Sequence, residues 1–337
     1  MLSLIEELVP GTFQVIVQRY QILKEIESQS PIGRRALAKQ VDLSERSLRT
    51  EIQVLKDQAF ISTSSAGMSL TTLGIRILDD LEDLVKDQAS FRESEDALAK
   101  QLEISQCIIC RRDSQESLAQ EALAVMDRLL PHGSQTIAVM GGTTMRKLAE
   151  SFDESLSTNR TLQFLPARGG AGEEQTIQAN AIADLMANRT HGTSRLLYAP
   201  DHVRSETRNL LLQEPEIKET MRRLSQADLA VFGIGDAKKM ANRIGLDQAT
   251  INQLDKAGAV AEAFGEFIDA KGEIVYKLAR IGLSSEDIQA IPNLLAVAGG
   301  AGKAQAIEAY CKVAPSHTIL VTDQAAANKI LNWESSH

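Results

Sequence analysis

The sequence predicts an α/β protein, with an N-terminal winged helix-turn-helix unit followed by a larger domain on a doubly wound parallel sheet. Three observations predict it. The first hundred of the 337 residues carry apolar positions at helix spacing and then a β-hairpin signature. From about residue 104, short apolar segments alternate with amphipathic ones, which argues for parallel strands joined by helices. Four of those apolar segments end in glycine-rich turns, at the sheet edge where ligands of such folds sit. A chain of this length exceeds one small core and suits two units. The polar stretch "QASFRESED" marks the boundary, giving units of 1–90 and 91–337.

In the first unit, Ile16, Tyr20, Leu23 and Ile26 mark a helix. A second helix falls in "RRALAKQV", and a short turn, "VDLS", follows it. Ser44 is a good N-cap for "ERSLRTEIQVLKDQ", in which Leu48, Ile52 and Leu55 form one apolar face. "FISTSSAGMSLTTLG" reads as two short strands around Gly67, a wing. The polar face of the last helix, with Ser44, Arg46, Ser47, Arg49, Thr50 and Gln53, holds side chains that bond phosphates and base edges. Arg34 and Arg35 open the preceding helix beside it, where they can meet a phosphate backbone. A helical bundle with a solvated polar face also satisfies the periodicity, but not the order of helix, turn, capped helix and wing. Leu73, Ile77, Leu81 and Leu84 continue at helix spacing and predict a connecting helix, a candidate dimer contact.

Charge supports a nucleic-acid face only locally. The whole chain carries −9, whereas residues 14–58 hold eight Lys or Arg against six Asp or Glu. No run of eighteen apolar residues occurs, so no membrane span is expected. "MLSLIEELVPG" lacks the basic start and long apolar core of a signal peptide, and a cytoplasmic protein is expected. Three cysteines give no disulfide framework. Cys107 and Cys110 have C-x-x-C spacing inside an apolar strand candidate, "ISQCIIC", which points to core packing, and the five histidines are scattered. No metal site is expected.

In the larger domain the strand candidates are "ISQCIIC", "TIAVMGG", "LQFLPARGG", "RLLYAP", "DLAVFGIG", "NLLAVAGG" and "TILVTD". The four turns are "MGGTTMRK", "ARGGAGEE", "FGIGDAKK" and "AGGAGKAQ". Glycine lets backbone N–H groups approach an anion, and a helix N-terminus adds partial positive charge. Arg168 and Lys303 supply full charge beside two turns, and Thr143 and Thr144 supply hydroxyls at a third. None is a P-loop or a dinucleotide fingerprint, and any one alone can be a structural tight turn. Four on one sheet edge suit a small anion with more than one phosphate.

The ordered run "MGGTTM", "FLPARGGAGE", "FGIGDAKKMANR", "AVAEAFGEFIDAKGEIV", "AIPNLLAVAGGAGKAQAIEAY" and "TILVTDQAAANKIL" resembles the SorC family of bacterial transcriptional regulators. The likeness runs over essentially the whole chain and is nearest to members that repress glycolytic genes. It implies a winged-helix domain joined to an effector domain with the fold of glucosamine-6-phosphate deaminase and ribose-5-phosphate isomerase. It also implies operator DNA and a phosphorylated sugar as partners, fructose-1,6-bisphosphate as effector, no cofactor, and a homo-oligomer of dimers or tetramers. By the same resemblance, Gly141, Gly142, Thr143 and Thr144 cradle a phosphate, and Arg168, Gly169, Arg243 and Lys303 add donors. Gln178 and Glu262 meet phosphate or sugar oxygens, the carboxylate of Glu262 being suited to a hydroxyl.

The fold also raises the reading of a sugar-phosphate isomerase or deaminase, which needs a carboxylate base. Deaminases of this fold follow "GIG" with an acid–glycine–histidine stretch. Here "GIGDAKKM" offers Asp236 but no histidine, and Glu262 is the other conceivable base. An enzyme leaves the helix-turn-helix unexplained, so no catalytic residue is expected.

Overall fold

The computed structural model describes residues 8–9, 11–170 and 175–333. The chain divides into two compact units, Met1–Glu93 and Ser94–His337.

In the first unit, α1 (Thr12–Ser28), α2 (Arg34–Gln40) and α3 (Glu45–Asp57) precede a hairpin of β1 (Ile61–Thr63) and β2 (Met68–Leu70). Ser44 caps α3 by accepting the Ser47 amide at 3.1 Å, which closes an otherwise orphaned donor of the first turn. Leu48 and Leu55 of α3 pack with Ile22, Leu23 and Ile26 of α1 and Leu37 of α2. Arg19 of α1 ties to Glu51 of α3 at 2.8 Å. The hairpin pairs Ser62 with Ser69, and Met68 bridges to Ile32, so the wing is stitched to the segment before α2. The expected helix-turn-helix with wing is present. The connecting helix, α4 (Thr72–Gln101), runs without a break through "QASFRESED", the polar stretch that the sequence marks as the boundary and within which the two units divide.

The second unit is built on a seven-stranded parallel sheet. Its strands are β3 (Gln106–Cys110), β4 (Gly133–Val139), β5 (Arg160–Pro166), β6 (Thr193–Ser194), β7 (Leu229–Phe232), β12 (Asn293–Val297) and β13 (Thr318–Asp323). Their order is β3-β13-β12-β7-β4-β5-β6. Ile137, Val139, Phe164, Val231 and Val297 bury one sheet face under α5 (Gln115–Leu129), α6 (Thr143–Glu150) and α7 (Ala179–Arg189). Ala138, Leu165, Ala230 and Ala296, of the other parity, are buried as well, so both faces are covered as parallel sheets require.

Successive strands run outward from β4 through β5 to β6, then return to β4's other side at β7. The direction reverses between β4 and β7, and that switch point opens a crevice at the strands' carboxyl ends. Between β7 and β12 the chain inserts an antiparallel sheet, β8 (Gly235–Asp236), β9 (Ala259–Ala263), β10 (Glu266–Asp269) and β11 (Ile274–Lys277).

One strand expectation is corrected. "RLLYAP" is not a strand, and only Thr193 and Ser194 before it pair with β5. The backbone of Leu197 bonds instead to a side chain, since its amide donates to Asn180 Oδ1 at 3.0 Å and its carbonyl accepts from Asn180 Nδ2 at 3.1 Å.

Candidate effector cleft and nucleic-acid face

The crevice at the β4/β7 switch point is lined by Met140–Met145 after β4, Arg168 after β5, and Gly233–Gly235 after β7. Lys303, after β12, also lines it, with Arg243 of α10 (Ala237–Ile244) and Glu262, Ala263 and Phe264 of the inserted sheet. Eight of the expected residues therefore meet: Gly141, Gly142, Thr143, Thr144, Arg168, Arg243, Glu262 and Lys303. Gly169 and Gln178 do not line the crevice. The Gly169 amide donates to the Ile281 carbonyl at 2.9 Å, and Gln178 sits at the start of α7. The end of the second glycine turn, 171–174, lies outside the described residues, as do residues 1–7 and 10.

The glycines are needed for space as well as for conformation. Gly142 has φ 125°, and α6 begins after it with no side-chain cap on the amides of its first turn, whose residues Thr143, Thr144 and Met145 line the crevice. A Cβ on Gly141 would stand 2.8 Å from Arg168 Nη2, so that guanidinium nitrogen packs directly against the turn. Arg243 Nη1 would be 4.0 Å from a Cβ on Gly142, which brings a second cation to the same turn. Lys303 sits at the start of α13 (Ala304–Cys311), also without a side-chain cap. Burial and the nearby charges of Lys239 and Arg243 lower its ammonium pKa, a cost that an incoming anion relieves.

Glu262 forms the facing wall. It opens a hairpin whose two turn residues, Phe264 (φ 53°) and Gly265 (φ 78°), are both left-handed. Its Oε1 accepts the Gly265 amide at 2.8 Å. Burial raises the Glu262 pKa, opposed by Arg280, the Gly265 amide and Arg168. A carboxyl with a folded pKa above its unfolded value holds its proton more tightly in the native state. Stability therefore falls as pH rises from the ordinary carboxyl value towards the raised one. Glu262→Gln keeps the acceptor and removes the titration. It is expected to flatten the decline in Tm as pH rises above the ordinary carboxyl range. Identical pH slopes for parent and variant in thermal melts would show that the group does not titrate there.

Of the two conceivable bases, Asp236 is engaged elsewhere: it caps α10 by accepting the Lys239 amide at 2.9 Å. Among the described residues no cluster suits a metal ion. A larger hollow lies between segment 194–198 and the helices α8 (Ser205–Leu211) and α9 (Pro215–Leu224). It carries Arg195, Glu214 and Glu216 but no glycine turn, and Arg195 already donates to Thr220.

On the first unit, Arg34, Arg35, Ser44, Arg46, Ser47, Arg49, Thr50 and Gln53 are all exposed. Arg46, Arg49, Thr50 and Gln53 lie on the face of α3 opposite Leu48 and Leu55. Gln53 donates to Asp57 at 2.7 Å and Arg35 lies 3.7 Å from Glu45, exposed contacts that cost little to exchange for another partner.

A winged helix-turn-helix and a crevice lined by cations and glycine turns define a class, the ligand-responsive transcriptional regulators. Residues 15–85 match the family described as the CggR N-terminal DNA binding domain, and residues 86–332 match a sugar-binding domain family. The chain is 40% identical over 335 residues to the central glycolytic genes regulator of Bacillus subtilis, covering 98% of each chain. It is 36% identical to the protein of that name in Priestia megaterium, over 98% of this chain and 99% of that one. Among solved structures, a SorC family transcriptional regulator from Enterococcus faecalis superposes with a TM-score of 0.67 at 44% identity, covering 71% of this chain and 99% of that one. The chain belongs to the SorC family of sugar-binding transcriptional regulators. It is a DNA-binding regulator and not an enzyme. No helix among the described residues is long and apolar enough to cross a membrane.

Proposed function

We propose that this protein represses glycolytic genes and leaves its operator when fructose-1,6-bisphosphate fills the crevice. The observation that carries this reading is the convergence of Arg168, Arg243 and Lys303 on one crevice beside the uncapped start of α6. A phosphate monoester carries about −1.5 to −2, so two on a short sugar bring about −3 to −4 against these three cations, and the cations stand on three separate segments of the wall. The near full-length relatives named as central glycolytic genes regulators support the pathway. In this reading Gly141, Gly142, Thr143 and Thr144 hold a phosphate, the three cations offset most of the pair's charge, and Glu262 accepts from a sugar hydroxyl. Arg46, Arg49, Thr50 and Gln53 enter the major groove, while Arg34 and Arg35 meet the backbone. The protein acts in the cytoplasm as a homo-oligomer, a dimer or a pair of dimers. The sugar releases DNA only if it binds the DNA-competent and the released assemblies with different affinity.

A second reading keeps the regulator and changes the sugar, because relatives named LsrR match part of the chain at 30% identity. A thermal-shift panel of phosphorylated sugars separates the two. A ligand at a hundred times its Kd stabilises the native state by about 2.7 kcal/mol, a shift of several degrees in a domain of this size. We expect a selective shift with fructose-1,6-bisphosphate. No shift with it, and one with another sugar phosphate, would move the protein to a different pathway.

A further inference from the structure

We infer that Asp201, which does not line the crevice, is a positioning residue that sets the Arg168 guanidinium against the glycine turn. The inference rests on the reading of the crevice as a phosphate site.

Asp201 is 2% exposed and lies between two buried arginines, Arg168 at 4% and Arg280 at 7%. Its Oδ2 is 3.4 Å from Arg168 Nη1. Its Oδ1 accepts from Arg280 Nε at 3.1 Å and lies 3.0 Å from Arg280 Nη2. The carboxylate is thus shared, one oxygen to each cation. The loop that carries it is pinned on both sides: its amide donates to the Gly170 carbonyl at 2.7 Å, and its carbonyl accepts the Ile281 amide at 3.1 Å. Arg168 and Gly282 are bridged in the same seam. The other terminal nitrogen of Arg168, Nη2, packs against Gly141 in the crevice. One end of the guanidinium is therefore anchored in the protein interior while the other faces the turn. A planar fork suits this division, and an ammonium does not.

The positioning role and simple electrostatics predict opposite signs. Asp201→Asn adds one unit of positive charge beside the crevice, which by field alone tightens an anion. The amide, however, offers one accepting oxygen and turns an NH2 towards the second guanidinium, so one arginine loses its anchor. We expect Asp201→Asn to bind fructose-1,6-bisphosphate at least tenfold more weakly by calorimetry, with ligand-free operator affinity unchanged. In an Arg280→Met background the single amide oxygen serves Arg168 alone. There, Asp201→Asn is expected to bind at least tenfold more tightly than Asp201→Ala. A merely structural role gives no such coupling in the double-mutant cycle. This background also keeps the parent's net charge in the seam, since one cation and one anion are removed together, so the comparison stands even if Asp201→Asn alone does not fold. Binding by Asp201→Asn equal to or tighter than that of the parent overturns the inference, as does equal binding by the two Arg280→Met double variants. If the parent itself binds neither fructose-1,6-bisphosphate nor inorganic phosphate, the reading of the crevice falls and the inference falls with it.

Discussion

Arg243→Ala is expected to bind operator DNA like the parent but to need about ten- to a hundredfold more fructose-1,6-bisphosphate for release. Arg243 lies on the last turn of α10, beside Gly142. A charge-assisted bond to phosphate contributes about 1.5–3 kcal/mol, and every 1.4 kcal/mol is a factor of ten. The rest of the crevice remains, so binding is weakened and not lost. Arg49→Ala supplies the converse: it weakens operator binding, lowers the salt dependence of that binding by about one unit, and leaves sugar affinity unchanged. Anisotropy titrations of operator DNA with and without the sugar read both variants. Release of Arg243→Ala at the parent's sugar concentration would remove the crevice as the effector site, and loss of both activities in Arg49→Ala would indicate misfolding.

Phe232→Ala is expected to produce the largest loss of stability, about 3–5 kcal/mol. Phe232 ends β7 and is fully buried. Its ring lies 4.7 Å from that of Phe264 and 5.6 Å from that of Tyr310, the second at an edge-on 70°. Truncation removes two aromatic contacts and leaves a cavity under the Glu262 hairpin, so sugar affinity is expected to fall together with Tm. Urea unfolding measures the first effect and calorimetry the second. A loss under about 1 kcal/mol would mean that the site collapses around the smaller side chain.

The sequence pattern conveys most of the fold because its local signals agree with one another. The Ser44 cap, the α3 periodicity and the Gly67 hairpin all lie within thirty residues, and the structure places each where the pattern does. The parallel strands are legible as apolar runs closed by glycine turns, and four of those turns fall at carboxyl ends of the sheet. What escapes the pattern is non-local. "RLLYAP" has a strand's composition, but its backbone partner is the side chain of Asn180. The inserted antiparallel sheet escapes because its tightest turn uses Phe264 and Gly265 in left-handed conformations, where Asn-Gly or Asp-Gly is the usual signal. Eight of the crevice residues are legible from spacing and resemblance, whereas backbone pairing draws Gly169 away from the crevice and Gln178 stands at the start of α7. Asp201 and Arg280 carry no motif at all: seventy-nine positions separate them, and only the folded chain makes them partners.

Cys107, Cys110 and Cys311 are free and buried. Burial pushes the thiols of Cys110 and Cys311 up to about 12, and that of Cys107 well above its ordinary value. At neutral pH roughly one in a hundred thousand such groups is the reactive thiolate. Buried and protonated, these three thiols are shielded from alkylating agents in the native fold, and a thiol reagent reaches them through molecules that have opened. Labelling speed then counts the opened fraction, so the chain carries its own gauge of how firmly a bound metabolite keeps it closed.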